Sequence, residues 1–183
     1  MLNRLATIFF SSAIVGILSW GLYWSFAPTT PQPARINYTT NLLPAVQIQQ
    51  PLGYQVKDLL DGINRYRTAN HLPPLALNNR LEQAAQTKAN DSIRLSEYYH
   101  YLSDGITPYN IIATAGYNYV YAGENIAAGY ANSATTDIAW WNSPEHKANI
   151  LDAHYTDTGF GLGVYGDGDY QGQVLVVEEF GGF

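Results

Sequence analysis

The chain of 183 residues contains no cysteine. That excludes a disulfide scaffold, a disulfide-linked partner, a thiolate metal centre and a cysteine nucleophile. Charge is scarce as well: Asp, Glu, Lys and Arg make up 13% of the residues, about half the usual share of ~25%. With 46% hydrophobic residues, this excludes disorder over the whole length and a solvated coiled coil. Basic residues nearly vanish from the second half. Residues 1–94 hold 8 basic and 4 acidic side chains, whereas residues 95–183 hold a single lysine, Lys147, against 11 acids. A nucleic-acid surface needs clustered Lys and Arg to displace counterions, so nucleic acid is not an expected partner. What the chain has in excess is 15 tyrosines, with 4 tryptophans, residues whose rings pack while their polar tips reach water or a partner.

Three segments follow from composition. Leu5 to Ala27 is an uncharged run of 23 residues, which as a helix would span about 34 Å, enough for a hydrocarbon core of ~30 Å. Arg4 on its near side holds that end in the cytoplasm, so whatever follows is exported. Residues 1–27 read as a transmembrane anchor or as a cleaved signal peptide, with Ser25-Phe26-Ala27 as the small-x-small site. The length of the run and Pro28 favour the anchor. Residues 28–53 hold Pro28, Pro31, Pro33, Pro44 and Pro51 among Thr, Gln and Asn, the composition of a semi-extended tether. Residues 54–183 hold the folded domain, and ~130 residues can stabilise a core by burial alone.

Val56, Leu59, Leu60, Ile63 and Tyr66 recur at helical spacing, which predicts a helix over 54–69 ended by Pro73-Pro74. Asn79-Arg80-Leu81-Glu82 predicts the capped start of a second helix, whose inner face (Leu81, Ala84, Ala85, Lys88, Ala89, Ser92) is small enough to lie close to a neighbour. Thr107-Pro108 opens a third helix through Ala115, Ser133 caps a fourth, and Ser143-Pro144-Glu145-His146 opens one more turn. Residues 119–128, 157–165 and 173–180 predict strands, the last two joined by a turn at Gly166–Gly172. This order is not the alternation of a doubly wound fold, so the expected class is α+β with an antiparallel sheet.

Three stretches carry a family resemblance. INRYRTANHLPPLALNNRLEQAAQTKANDS, HYLSDGITPYNIIATAGYNYVYAGENIAAG and WWNSPEHKANILDAHYTDTGFGLGV resemble the bacterial SCP-like domains of the CAP superfamily, relatives of cysteine-rich secretory proteins, antigen 5 and plant pathogenesis-related proteins. GENIA alone would say little, but GENIA followed by WxNSPxHxxNIL and a glycine-rich strand is specific. The resemblance covers about 54–183 and implies a three-layer α-β-α sandwich around a central antiparallel sheet.

It also implies a cleft with two histidines and acidic residues, in which several members hold a divalent cation. Residue by residue, these positions fall on His100, Glu124 and His146. A fourth acid in eukaryotic relatives falls here on Ser143, so Asp137 or Glu145 would have to stand in. Two neutral imidazoles and a carboxylate would suit Zn²⁺ or a similar ion with open water positions; no organic cofactor is implied. The same trio could instead be a hydrogen-bonded Glu–His network without metal. Asp167-Gly168-Asp169-Tyr170-Gln171-Gly172 with Glu178 nearly spells a calcium loop, but its flanks read as strands, which favours a hairpin turn. His71 and His154 have bland loop readings.

Three functions stay open. The first is an envelope-exposed domain that binds a small-molecule, lipid or cell-wall ligand in the His/Glu cleft, with or without a cation. The second is a metal-assisted hydrolase of peptide or cell-wall material. The third is a cell-surface interaction module using the tyrosine-rich surface. No nucleophile motif decides whether the chain is an enzyme.

Overall fold

The computed structural model describes residues 51–102 and 105–183. The expected anchor or signal peptide at 1–27, nearly all of the expected tether at 28–53, and Ser103-Asp104 of the expected turn lie outside the described residues. No helix among the described residues is long and apolar enough to cross a membrane.

The elements run α1 (Val56–Ala69), β1 (Ala76–Leu77), α2 (Asn79–Leu95), α3 (Pro108–Thr114), β2 (Tyr121–Ala128), α4 (Ser133–Asn142), α5 (Pro144–Ile150), β3 (Asp157–Val164) and β4 (Val174–Gly182). The sheet order is β1-β3-β4-β2. β4 pairs antiparallel with both β2 and β3, and the two-residue β1 adds a parallel pair to β3. β2 is therefore an edge strand.

Side chains alternate across the sheet, and each face takes its own helices. On one face Phe160, Leu162, Val176 and Phe180 pack with Leu59 and Ile63 of α1, Trp140 of α4 and Ile150 of α5. Each such side chain withdrawn from water contributes roughly 1.5–3 kcal/mol. The other face carries α2 and α3. There β3 presents glycines, and α2 lies directly on them. A Cβ at Gly159 would sit 2.1 Å from the Glu82 nitrogen, and one at Gly161 would sit 2.3 Å from the Ala85 backbone. The alanine face of α2 meets this glycine stripe, completing the α-β-α sandwich.

Local differences from the sequence reading have local causes. Asn78, not Asn79, caps α2, its side chain accepting from the Arg80 amide. α4 is capped by Asn132 through Thr135, one residue before Ser133. The turn opened by Ser143-Pro144 continues as a seven-residue helix to Ile150, because Ile150 finds a fully buried seat in the core. β1 is too short to leave a periodic signature. Thr107 caps α3 with Pro108 at the first helical position, as the sequence reads.

Candidate functional site

The chemistry gathers at the free edge of β2. Glu124 stands in mid-strand, points to the α2 face and is 2% exposed. His100, on the segment after α2, brings Nδ1 to 2.7 Å from Glu124 Oε1, with its own side chain 45% exposed. The structure thus joins a solvent-facing imidazole to a buried carboxyl 24 residues away. An ionised carboxylate only accepts, so Nδ1 carries the hydrogen when Glu124 is charged.

His146 approaches the same edge from α5, half-buried and tilted against Trp140 at 6.5 Å between ring centroids. Burial lowers its pKa and the nearby His100 lowers it further, while Glu145 opposes both. Neutral imidazole is therefore its favoured form at neutral pH. Asn149 of the NIL stretch seals this edge: its amide donates to the Glu124 backbone carbonyl at 3.0 Å and to Asn125 Oδ1 at 3.0 Å. Those bonds occupy the flank of an edge strand that would otherwise present an open backbone group.

The alternatives for a fourth acid lie elsewhere. Glu145 is exposed at the start of α5 and accepts from Ser143 Oγ. Asp137 is buried between α4 and α1, where a Cβ at Gly62 would fall on its Oδ2. Neither Asp137 oxygen has a hydrogen-bond partner. Burial raises its pKa to about 7, Arg65 opposing and Asp58 adding to the rise.

A different acid stands beside Glu124. Glu179 of β4 is the cross-strand partner of Glu124 and is wholly buried. Its pKa is driven well up, first by burial and then by Glu124. That of Glu124 is also raised by burial, against the opposing pull of His100 and Lys88. Glu179 therefore holds a proton, which it offers to Glu124, leaving the charge on the carboxyl that faces His100 and Lys88. As bare carboxylates, Glu124 Oε2 and both Glu179 oxygens would be buried without a donor. Lys88, 1% exposed on α2, donates to Ser92 Oγ at 3.1 Å and to the Tyr101 carbonyl at 3.0 Å. Burial lowers its pKa, with Glu124, Asp91 and Glu179 opposing.

These donors do not fit a divalent ion as they stand. Among the described residues no three His, Asp or Glu side chains are grouped to hold one. His100 Nδ1 and Glu124 Oε1 are bonded to each other.

The sequence reading missed Glu179 and the role of Lys88. A signal was present: two adjacent glutamates inside the apolar run of β4 must point to opposite faces, so a strand covered on both sides has to bury one on each. The Asp167–Gly172 segment is a hairpin connection with a short 3-10 turn. His154 bonds Asp152 and stacks on Tyr121.

The comparisons with known proteins agree with this layout. The model of the cysteine-rich secretory protein family, CAP, matches residues 60–180. The chain belongs to the CAP family. It does so without one cysteine, so this CAP domain replaces covalent staples with sheet and helix packing. It is 29% identical over 137 residues to the uncharacterized protein YkwD of Bacillus subtilis, covering 75% of this chain and 50% of that relative. The chain thus spans half the length of the curated relative it matches.

Among solved structures, an outer surface protein of Borrelia burgdorferi aligns with TM-score 0.62 and 25% identity, over 69% of this chain and 90% of that one. An SCP-domain extracellular protein of Bacillus anthracis aligns with TM-score 0.61 and 23% identity, over 69% of this chain and 40% of that one. The latter likeness is one of fold.

Proposed function

We propose that this CAP-domain protein is exported and binds a ligand outside the cytoplasm, at the β2 edge where His100 and His146 flank Glu124. The observation that carries the reading is the half-exposed His100 imidazole bonded to a carboxyl 2% exposed, with a second buried carboxyl behind it. Burying two acids side by side is costly for a fold. Such groups converge where a ligand is to be met. Export is supported by the uncharged run Leu5–Ala27, either as anchor or as signal peptide. The extracellular and outer-surface descriptions of two structural neighbours point the same way. Binding without turnover is the favoured form, since the sequence carries no G-x-S-x-G or H-E-x-x-H motif.

The test is a ligand-observed NMR screen of the full-length chain against small polar metabolites, lipids and sterols. Hits at this edge should weaken about tenfold or more in both His100→Ala and His146→Ala, the loss of a buried polar contact. A screen whose hits are all indifferent to both substitutions overturns the reading. Elemental analysis before and after chelation shows whether a divalent cation accompanies the ligand.

A further inference from the structure

A second concavity, of about 310 Å³, lies between α2 and the segment that follows it; Lys88, Asp91, Ser92, Glu97, Tyr99 and Tyr101 line it together with two leucines. None of His100, Glu124 or His146 belongs to its lining. The segment concentrates exposed tyrosine: Tyr99 is 65% and Tyr101 51% exposed, in a fold that buries Tyr54, Tyr117, Tyr155 and Tyr165 almost completely. Tyrosine offers a rigid, flat, amphipathic face with few rotatable bonds, which makes it an economical recognition residue when left in solvent.

The charges around the cavity restrict what can enter. The Lys88 ammonium is part of its buried wall, which disfavours a cation. The carboxyl of Glu97, and that of Asp91, which also accepts from Arg94 Nη2, disfavour an anion. A neutral molecule with many hydroxyl groups meets no such penalty. It can give hydrogen bonds to the acids and Ser92 and accept one from Lys88, two of whose three donors go to Ser92 Oγ and the Tyr101 carbonyl. The weakly polar C–H face of a pyranose ring packs on an aromatic ring, and the cavity volume suits a unit of that size with ordered water.

We propose that this concavity is a saccharide-binding site, with Tyr99 and Tyr101 as stacking platforms and Lys88, Asp91, Ser92 and Glu97 as hydrogen-bonding partners. It lies beside the ligand cleft at the β2 edge, with Lys88 between the two and none of His100, Glu124 or His146 in its lining.

The experiment titrates the full-length chain with a β-1,4-linked N-acetylglucosamine tetramer and, separately, with a glucose tetramer, followed by calorimetry and by protein NMR. At least one tetramer should bind saturably. Tyr99→Ala and Tyr101→Ala should each weaken it about tenfold, as removal of a central aromatic contact does. Tyr99→Phe should retain binding, and Tyr130→Ala, which removes an exposed tyrosine outside the cavity, should leave it unchanged. Circular dichroism of each variant separates lost binding from lost fold.

Absence of saturable binding by either tetramer up to about 10 mM, well above ordinary weak affinities, overturns the proposal. So does binding of tetramethylammonium, with the same tyrosine dependence, in place of the sugars. Sugar binding lost in His146→Ala but kept in both tyrosine-to-alanine variants also overturns it, because the sugar would then occupy the other cleft.

Discussion

Glu178 and Glu179 are neighbours on β4 and both are wholly buried, but they serve opposite faces of the sheet and are treated differently there. Glu178 faces α1, α4 and α5, and both of its oxygens are bonded. Thr158 Oγ1 donates to it at 3.1 Å and Asn125 Nδ2 at 3.4 Å; burial and then Asp137 push its pKa well up, against the pull of those two donors and of the Arg67 guanidinium. Arg67 in turn donates to the carbonyls of Pro73, Ile150, Asp152 and Tyr155, tying α1 to the chain around α5. Glu179 faces α2 and has another acid beside it. A buried acid whose oxygens are all bonded is a structural joint, whereas one left to share a proton with its neighbour marks a place kept for chemistry.

The largest expected effect tests the close approach on the α2 face. Gly161→Ala drives a methyl group into the α2 backbone, which cannot move without lifting the helix off the sheet. We expect a loss of about 3 kcal/mol or more, at the upper end for overpacking, seen as a lower midpoint in urea denaturation. Gly163→Ala is the control. Its methyl would meet only the Cδ1 of Ile93, the far end of a flexible side chain, so the cost should be about 1 kcal/mol. Equal costs at the two positions would mean that the helix is not seated as tightly as the glycine stripe implies.

That stripe was legible in part. The small face of α2 (Ala84, Ala85, Ala89) pointed to a close neighbour, and the alternating glycines of the GFGLG stretch are that neighbour's counterpart. The helices and the three long strands followed from periodicity, Thr107-Pro108 and Ser143-Pro144, and the α-β-α layering from the family resemblance. The motifs pointed to His100 and Glu124, which do touch. Contacts set by register were out of reach. That Glu124 faces Glu179 depends on how β2 pairs with β4, and a slip of one residue would have put Glu178 there instead. Asp137 shows the converse. It stands in the right stretch of sequence for the cleft, but its position on α4 turns it towards Gly62 of α1.

Glu178→Ala tests the bonded face. It removes the side-chain oxygens that accept from Thr158 and Asn125 and opens a cavity. About 3 kcal/mol of destabilisation is expected, measured by thermal and chemical unfolding together. A cost below about 1 kcal/mol, no more than an ordinary surface change, would remove the contrast between the two faces.

Asp137 supplies a pH dependence. Its folded pKa is raised from 3.8 to about 7, so the native state binds the proton more tightly than the unfolded chain does. Its contribution to stability is fully present below pH 3.8 and is lost as pH rises towards 7, with little further change above. The difference in stability between the protein and Asp137→Asn should therefore shift in favour of the variant by up to about 4 kcal/mol across that window, each raised unit being worth about 1.4 kcal/mol. A pH-independent difference would show that Asp137 titrates normally.

The smallest expected effect on stability is also the sharpest test of the comparison. If Glu179 holds the shared proton, Glu179→Gln keeps the shape of the side chain and its ability to donate to Glu124 Oε2, because the amide nitrogen replaces the acid hydroxyl. Stability at neutral pH should then change by less than about 1 kcal/mol, while Glu178→Gln, which replaces one of the two oxygens that accept from Thr158 and Asn125 with a donating nitrogen, should cost about 2 kcal/mol. Equilibrium unfolding of the two variants side by side reads this out. Were Glu179→Gln the more damaging of the pair, the proton would not reside on Glu179. The buried charge would then lie on the α2 face, and Lys88 rather than a neighbouring acid would be what holds it there.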